Sequence, residues 1–434
     1  MLPVPLDRRV WLECQALVAQ GYRVSVICPK GPDDPGRQRL NGVTIYKYSP
    51  APESRGLLGF MWEFAYSWIR TAALSVRVWT AEPFDVMQAC NPPDTFWLLA
   101  RLWRIRGVSF VFDQHDLNPE LFISRFGKPS GGLPSLEYNA LKWLEAQTYR
   151  AAHRIISTNE SYKRVAVERG RRSPLDVTVV RSGPDTQRMR PIYPTHPRGQ
   201  SEIQLVYLGI MGPQDGVDQV IRVMDELVNR RGLTHIRATL LGFGDCLNEL
   251  RKLANELNLN DNVTFTGRVG IDEIAEHLSA SDIGLCPDLK TPLNDVSTMN
   301  KTMEYMSYAL PSVSFDLVET RVSGGDTVLY VPSGDIVQFS DAVEKLASDP
   351  ALRSELGRSA RHRVATELDW RPQSKAYVSV FSDVTGWASE TSTPQADVSS
   401  VDGLGRRYVD LNDEVEFDRY LVERRAPKNT DGTS

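Results

Sequence analysis

The sequence predicts an α/β protein built from two Rossmann-like domains, each with a doubly wound parallel sheet. Three observations support this fold class. Short apolar strand patterns alternate with helical patterns over the first 185 residues, and the alternation resumes near residue 204. A stretch rich in proline and basic residues, 185–202, separates the two runs and is typical of a linker. The chain length of 434 residues suffices for two or three separately packed cores.

The first domain is assigned to residues 1–190. Its strands are expected at 22–28, 43–48, 84–89, 108–112, 154–158 and 177–181. Its first helix begins almost at once, with Asp7 as the N-cap, so at most residues 1–4 remain for a first strand. We therefore expect this domain to lack or shorten its first strand, and we favour a translation start placed too late as the explanation.

The second domain is assigned to residues 200–372. Its strands are expected at 204–208, 237–241, 263–266, 283–287, 311–315 and 328–331, with helices between them. A last helix is expected at 374–385. Beyond it, serine, threonine, proline and aspartate dominate, which predicts a mostly flexible tail over 387–434 with a short helix near 415–424.

Composition excludes several classes of function. The formal net charge of −5 gives no general positive field for nucleic acid. The five cysteines are scattered, without a C-x-x-C pair, which predicts free buried thiols in a reducing compartment. No signal peptide is evident, so a cytoplasmic location is expected. Zinc-protease, P-loop and serine-elbow motifs are absent, so metal-dependent hydrolysis and P-loop phosphoryl transfer lack their usual support.

The aromatic segment 57–79 raises the question of membrane contact. Glu63, Arg70 and Arg77 interrupt it, so a membrane-spanning helix is not expected. Its apolar residues fall on one helical face. Burial of that face against its own domain is the favoured interpretation, and a helix lying on a bilayer near a lipid-linked substrate is the alternative.

The first candidate site follows the predicted strand 108–112. Ligands of parallel sheets bind where the strands end, and the sequence places Asp113-Gln114-His115-Asp116 there. His115 is suited to donating a hydrogen bond to a substrate oxygen, and Asp116 is expected to fix its tautomer. A purely structural role for His115 is the alternative.

The second candidate site is the start of a helix at about residue 298. Ser297 or Thr298 is expected to cap it, so that free backbone N–H groups and Lys301 form an anion site. Asn300 and Glu304 are four residues apart and share a face, which suits a diphosphate at the helix start and ribose hydroxyls one turn deeper. A solvated Lys301–Glu304 pair is the alternative.

Two glycine turns at predicted strand ends are weaker signals. Gly209 and Gly212 belong to the first turn, and Gly242 and Gly244 to the second. Each glycine allows a backbone to approach a ligand closely, but a Gly-x-Gly pair alone is not specific.

Taken in order, these motifs resemble glycosyltransferase family 4 over residues 5 to about 385. The segments that carry the resemblance are Arg8-Arg9-Val10-Trp11, Asp113-Gln114-His115-Asp116, 180–185, 241–244, 263–267, 280–285, Asn300-Lys301-Thr302-Met303-Glu304 and 324–326. The resemblance implies the GT-B fold, with two facing Rossmann domains and the helix 374–385 crossing back to the first. It also implies transfer of a sugar from a nucleotide donor with retained anomeric configuration, no cofactor and no essential metal.

Two site residues carry over by position. Glu304 matches the family's ribose-binding glutamate, and His115 matches the histidine that contacts the donor sugar. The remaining candidates are Gly209, Gly212, Gly244, Asp295, Thr298, Asn300 and Lys301 for the donor, Asp116 for catalysis, and Arg8 and Arg9 for a phosphate or the acceptor.

The sequence also departs from the family pattern. Val296 stands where a second glutamate is common, next to Asp295. The usual arginine and lysine after the first strand of the second domain are missing, so Lys301, the helix N-terminus and Arg8 or Arg9 are left to neutralise the diphosphate. Ala309 replaces a helix-ending glycine, at a cost of about 1 kcal/mol if its backbone is left-handed.

The resemblance suggests a glycan or a lipid-linked molecule as the acceptor, in cell-surface polysaccharide synthesis at the inner membrane face. With no second carboxylate placed as a nucleophile, we favour front-face attack by the acceptor hydroxyl. A catalytically silent subunit of the same fold, binding a glycan or a partner enzyme, is the main alternative. A sugar-nucleotide epimerase is less favoured, and a dehydrogenase least, because G-x-G-x-x-G is absent.

Overall fold

The structure is a computed structural model that describes residues 3–31, 34–51, 56–195, 202–387 and 399–424. The chain divides into two compact units. The first comprises Met1–Ser182 with Arg371–Gln395, and the second comprises Gly183–Trp370 with Ala396–Ser434. Residues 183–190, which we had assigned to the first domain, therefore belong to the second.

The first unit alternates strands and helices as predicted. Its strands are β1 (Ser25–Pro29), β2 (Arg37–Leu40), β3 (Val43–Tyr48), β4 (Val86–Cys90), β5 (Ser109–Gln114), β6 (Arg154–Ser157) and β7 (Val177–Val179). Its helices up to Ser182 are α1 (Arg8–Ala19), α2 (Gly56–Ala81), α3 (Trp97–Arg104), α4 (Asn118–Phe126), α5 (Gly132–Ala151) and α6 (Glu160–Glu168). β5 is buried on both faces, as expected for a strand covered by helices on each side.

Strand pairing in this unit is interrupted at one position. The described strands form two sheets, of order β1-β3-β2 and β4-β5-β6-β7, and every pair is parallel except β2 with β3. In a doubly wound sheet the first strand lies between the second and the fourth. Among the described residues no strand precedes α1, whose N-cap is Asp7 as predicted, so the interruption falls at that place.

The second unit contains one continuous parallel sheet. Its strands are β8 (Ile203–Leu208), β9 (Ile236–Leu241), β10 (Val263–Gly267), β11 (Ile283–Cys286), β12 (Ser312–Phe315) and β13 (Val328–Val331). The order β10-β9-β8-β11-β12-β13 is that of a doubly wound sheet, so the strand order reverses between β8 and β11. Ligands of such sheets bind at this reversal, beyond the strand ends.

Helices cover both faces of this sheet. They are α7 (Val217–Met224), which continues as a π-helical turn over Asp225–Arg230, α8 (Leu247–Glu256), α9 (Ile271–Ala280), α10 (Asn300–Ser307), α11 (Val318–Gly324), α12 (Ile336–Ser348) and α13 (Pro350–Glu367). The next helix, α14 (Trp370–Thr385), belongs to the first unit from Arg371 onward. Its Tyr377 hydroxyl donates to Gln88 of β4 at 2.6 Å, which fixes this C-terminal helix on the first unit.

Residues 399–424 correct the prediction of a mostly flexible tail over 387–434. This segment ends in α15 (Glu414–Glu423) and packs on the second unit, burying Val409, Phe417, Tyr420 and Leu421 around Ala309. The Tyr420 hydroxyl donates to the carbonyl of Ser279 at 2.9 Å. About half of its apolar side chains face this one cluster, whereas Val401, Leu404, Val415 and Val422 are exposed. The other residues of the predicted tail, 388–398 and 425–434, lie outside the described residues.

Ala309 ends α10 in the left-handed conformation, with φ of 53°. Its N–H donates to the carbonyl of Met306 and the N–H of Leu310 donates to the carbonyl of Tyr305, both at 3.0 Å. These two bonds form a Schellman motif, in which glycine is the preferred residue at this position. The replacement of glycine by Ala309 therefore carries the expected strain of about 1 kcal/mol.

The aromatic helix α2 divides its apolar residues between two environments. Trp68, Ala72 and Trp79 pack against the core that contains Leu99 and Trp103. Trp62, Ile69 and Val76 instead are more than half exposed. The prediction that one apolar face of this helix is buried is therefore wrong for Trp62, Ile69 and Val76. Among the described residues, no helix combines the length and the hydropathy needed to cross a membrane.

Candidate active site

The candidate site of the first unit is the junction between β5 and the loop that carries His115. Asn91, just after β4, binds this loop through its side chain. Its Oδ1 accepts the backbone N–H groups of His115 and Asp116 at 2.8 and 3.2 Å, and its Nδ2 donates to the carbonyl of Asp116 at 2.7 Å. Asn91 is 5% exposed. The carboxyl ends of β4 and β5 are thus fixed to each other.

The imidazole of His115 is held by Asp113, not by Asp116 as predicted. Its Nε2 lies 2.7 Å from Oδ2 of Asp113, which is fully buried at the end of β5. Burial alone would lower the pKa of His115, but the negative charge of Asp113 raises it well above its ordinary value. Burial likewise opposes ionisation of Asp113, yet Arg9 and His115 hold the pKa of this carboxyl below its usual range. The charge of Asp113 therefore favours the protonated form of His115, whose side chain is 18% exposed.

Arg9 lies inside the same network. Its Nη2 donates to Asp113 at 3.0 Å, and its Nη1 donates to the carbonyl of Val180 and the hydroxyl of Ser182, both at 2.9 Å. Its charge is already balanced by Asp113, which argues against the phosphate-binding role considered for it. Arg8, in contrast, is exposed.

Glu13 shares the cation of Arg9. The Nε atom of Arg9 lies 3.0 Å from Oε1 of Glu13 and 3.1 Å from Nε2 of His115. The N–H of this atom is directed to Nε2 of His115, so Oε1 of Glu13 forms an ion pair with Arg9 but no hydrogen bond. Burial, together with the charge of Asp113, nevertheless raises the pKa of Glu13 to about 8. One guanidinium thus serves two carboxyl groups, and Asp113 keeps the negative charge.

This cluster also contains a set of metal-ligand types, but it does not suit a metal ion. Ligand atoms of Cys90, Asp113 and His115 lie within 4.8 Å of one another. Burial raises the pKa of the Cys90 thiol to about 11, so it is not a thiolate at neutral pH. The guanidinium of Arg9 already occupies a carboxylate oxygen of Asp113. We therefore assign no metal here.

The candidate site of the second unit is α10, which begins at Asn300 with Met299 as its N-cap. The prediction that Ser297 or Thr298 caps this helix is wrong. The Ser297 hydroxyl instead donates to the carbonyl of Leu293 at 2.8 Å, and Thr298 is half-buried just before the helix. Asn300 is exposed at the first turn.

Lys301 and Glu304 are both buried on α10, at 8% exposure each, so the alternative of a solvated pair is excluded. The Nζ of Lys301 donates to both carboxylate oxygens of Asp288, at 2.7 and 2.9 Å. Asp288 lies two residues after β11, beside the reversal of strand order. The positive charge predicted for a diphosphate is therefore balanced by a buried carboxylate that the sequence analysis missed.

The two glycine turns pack directly against each other. A Cβ on Gly242 would lie 1.8 Å from the carbonyl oxygen of Gly209, and one on Gly244 would lie 2.5 Å from that of Met211. The Met211 N–H donates to the carbonyl of Phe243 at 2.9 Å. Close packing of these two loops, rather than an approach to a ligand, explains Gly242 and Gly244.

Three other predicted positions have structural explanations. A Cβ on Gly209 would lie 2.8 Å from the Tyr207 hydroxyl, so this glycine leaves room for side chains beneath it. The N–H of Gly212 donates to Asp215 at 2.9 Å, which closes a tight turn. Asp295 accepts the N–H of Val318 at 2.9 Å and so caps the start of α11.

The positioning residues that the prediction missed share one pattern. Half-buried Gln88 donates to buried Asp113 at 3.1 Å and to buried Glu13 at 3.0 Å. All three occupy strand or helix positions that otherwise take apolar side chains. A polar residue inside an apolar strand, such as Gln88 in β4, was the available signal. Its partners are 25 and 75 residues away, so the sequence alone does not identify them.

Comparison with known proteins decides the family. The model of the glycosyl transferase 4-like domain matches residues 6–183, and the model of glycosyl transferases group 1 matches residues 202–349. The chain is a glycosyltransferase. It belongs to the family 4 type that its motifs resembled, and the two matched regions correspond to the two structural units.

Curated relatives of this glycosyltransferase are distant. An uncharacterized glycosyltransferase of Methanocaldococcus jannaschii is 22% identical over 85% of this chain and 91% of its own length. A glycogen synthase of Mycobacterium tuberculosis is 23% identical over 87% and 90%. These relatives are hexosyltransferases or are named as glycosyltransferases, which supports the same class of enzyme here.

Solved structures confirm the predicted GT-B fold class. Sucrose-phosphate synthase of Thermosynechococcus elongatus has a TM-score of 0.70 at 16% identity, covering 88% of this chain and 94% of that one. WaaG, a glycosyltransferase involved in lipopolysaccharide biosynthesis, has a TM-score of 0.64 at 16% identity, covering 89% and 98%. HepE of Anabaena, solved with UDP, has a TM-score of 0.61 at 15% identity, covering 86% and 96%.

Proposed function

We propose that this glycosyltransferase moves a hexosyl group from a nucleoside-diphosphate sugar to a hydroxyl group of a glycan or lipid-linked acceptor, with retained configuration, in cell-surface polysaccharide synthesis. The observation that supports this proposal most is the charged imidazole of His115, held by buried Asp113 at the carboxyl end of β5. An imidazolium has two N–H donors. Nε2 is used on Asp113, so we assign Nδ1 as the donor to an oxygen of the transferred sugar.

The donor half of the proposal rests on α10. Glu304 is buried one turn after the helix begins, where its carboxylate suits ribose hydroxyls, and the helix start with Lys301 suits the diphosphate. UDP and UDP-glucose complexes of HepE, and a relative named as a GDP-mannose-dependent mannosyltransferase, support a nucleoside-diphosphate sugar as the donor.

The proposed reaction is a front-face displacement. The bond between the anomeric carbon and the phosphate oxygen breaks, and a bond from the acceptor oxygen forms on the same face of the sugar. The acceptor proton passes to the departing phosphate oxygen. Fixed positive groups near that leaving group lower the barrier because negative charge develops there. We also propose that no metal ion is required, so a chelator should leave transfer unchanged.

The structure suggests a direct test of the donor half. Calorimetric titration should show that the wild type binds UDP or GDP. In Glu304→Ala, the free energy of nucleotide binding should be weaker by at least about 2 kcal/mol. Glu249→Gln, which removes one exposed negative charge from the same unit, is the control and should bind as the wild type does. Unchanged binding by Glu304→Ala would move the donor site elsewhere.

A second measurement tests the reaction itself. Purified enzyme with a sugar nucleotide and a lipid-linked acceptor should release nucleoside diphosphate, and the new linkage should keep the donor's anomeric configuration by NMR. Inversion, or a sugar trapped covalently on Asp116 or another side chain, would overturn the front-face reaction. Persistent silence with every donor would favour the catalytically silent subunit.

A further inference from the structure

The first unit exposes an apolar surface that its own fold leaves uncovered. Leu98, Leu102 and Ile105 follow one another at helical spacing along α3 and just beyond it, at 44%, 52% and 80% exposure. A second stripe runs along α5 through Leu133, Leu136 and Trp143, and α4 ends in Phe126, which is 74% exposed. Isolated exposed leucines need no explanation, but two stripes on helices packed together do.

Contacts between the three helices pack α5 against both α3 and α4, so the stripes lie on neighbouring helices. The rings of Trp97 on α3 and Trp143 on α5 meet edge to face at 5.8 Å. Arg101 on α3 donates to Gln147 on α5 at 3.3 Å. The rings of Phe122 on α4 and Tyr138 on α5 are 6.1 Å apart. We name this area, formed by α3, α4 and α5, the α3–α5 surface.

The fully exposed charges on the segment that forms this surface are all positive. Residues 97–151 contain seven lysines and arginines, and every one of them is exposed: Arg101, Arg104, Arg106, Arg125, Lys128, Lys142 and Arg150. The same residues contain five acidic side chains, and none of them is exposed. Glu120 and Glu145, for example, are paired with Arg169 at 2.5 and 2.6 Å. A cationic surface therefore occurs in a chain whose net charge is −5.

We propose that the α3–α5 surface docks on an anionic lipid bilayer. Apolar side chains that enter the interface, surrounded by lysine and arginine, are the combination that binds a charged membrane surface peripherally. The docking surface is thus not the aromatic helix α2 that the sequence singled out. On the described part of α2, the exposed residues Trp62, Ile69 and Val76 are accompanied by two exposed arginines, Arg70 and Arg77, against seven exposed basic side chains on the α3–α5 surface.

The position of the surface gives it a use in the proposed reaction. α4 begins three residues after His115, so the surface adjoins the loop that carries the imidazolium. Docking would bring this loop toward a lipid-linked acceptor. This last point rests on the proposed function, whereas binding to lipid is independent of it.

Vesicle co-sedimentation of the full-length protein tests the proposal. The wild type should sediment with vesicles of phosphatidylglycerol and phosphatidylcholine in equal parts, much less with phosphatidylcholine alone, and less at high salt. The double variants Leu102→Ser/Ile105→Ser and Arg104→Glu/Arg106→Glu should each weaken binding about tenfold or more. All four residues are exposed, so circular dichroism should show an unchanged fold.

Two control variants make the result specific. Ile271→Ser/Val337→Ser alters equally exposed apolar residues of the second unit, and Trp62→Ser/Ile69→Ser alters α2. Both should bind as the wild type does. Absence of wild-type binding, retained binding by the α3–α5 variants, or loss confined to the α2 variant would each overturn the proposal. Because no donor or acceptor is needed, these outcomes are independent of whether the proposed transfer occurs.

Discussion

His115 and Asp113 lie two residues apart, on opposite sides of the point where β5 ends, and their side chains meet at 2.7 Å. A strand sends successive side chains to opposite faces, so residues two apart share a face. The loop begins at His115, and its backbone is held there by Asn91. The buried carboxylate therefore contacts the ring directly, whereas the adjacent Asp116 is held through its backbone.

Replacing Asp113 by asparagine should lower the pKa of His115 toward its ordinary value of about 6.5, because the raising charge is lost. The wild-type ring should stay charged through neutral pH. In Asp113→Asn, kcat/KM should therefore fall much more at pH 8 than at pH 6. NMR titration of the imidazole measures the pKa directly. Asp116→Asn serves as the control with a smaller shift, and an unshifted His115 in Asp113→Asn would contradict this account.

Glu13 should make stability depend on pH. Its pKa is raised from 4.5 to about 8, mainly by burial, so the folded state holds a proton that the unfolded state has lost. The free energy of unfolding should therefore decrease as pH rises from about 4.5 to 8 and level off above. In Glu13→Gln, the free energy of unfolding, measured from urea unfolding curves at pH 5, 6.5 and 8, should decrease less with pH. His115 also loses stabilisation as pH rises through its raised pKa, and that later decrease should persist in the variant.

The pair of Lys301 and Asp288 should separate stability from nucleotide binding. Lys301→Met leaves a buried carboxylate without its cation and should cost about 3–5 kcal/mol in the free energy of unfolding. Adding Asp288→Asn should recover most of that loss. If Lys301 also binds the diphosphate, UDP affinity should stay low in the double variant, measured by calorimetry. Full recovery of affinity would show that the lysine serves stability alone.

Two neighbouring arginines of the C-terminal segment should differ in their effect on stability. Arg406 is 13% exposed in its side chain and binds Glu276 at 3.0 Å and Asp402 at 2.6 Å, both nearly buried. Arg407 is 58% exposed and binds Glu416. Arg406→Met should lower the free energy of unfolding by about 3 kcal/mol, and Arg407→Met by less than about 1 kcal/mol. Similar losses in denaturant unfolding would mean that burial does not distinguish the two.

Much of the fold could be predicted because apolar periodicity reflects burial. The predicted strand at 328–331 has the observed bounds, and the second sheet has the predicted parallel character. β2 was missed because it is an edge strand of Arg37, Gln38 and Arg39 with little apolar signal. The short helix predicted near 415–424 is present as α15. The packing of the C-terminal segment was missed because its composition is polar, and its buried apolar side chains find partners only in the folded second unit.

The candidate site was predicted less completely than the fold. His115 was located because it follows a predicted strand, and Lys301 and Glu304 were located from their spacing on a predicted helix. Both signals are local in the sequence. The groups that set their charge, Asp113 for His115 and Asp288 for Lys301, follow from strand geometry and from packing across 13 residues of chain. A motif thus locates a reactive group, but the tertiary structure determines its protonation.

The C-terminal residues have a consequence for synthesis on the ribosome. Residues 371–387 complete the first unit, and residues 399–424 complete the second. The first unit therefore cannot reach its final packing until residues up to 387 have left the exit tunnel, and the second cannot until residues up to 424 have done so. We expect the nascent first unit to expose apolar surface while the second is being synthesised, and so to depend on chaperones more than a protein whose first domain is contiguous in sequence.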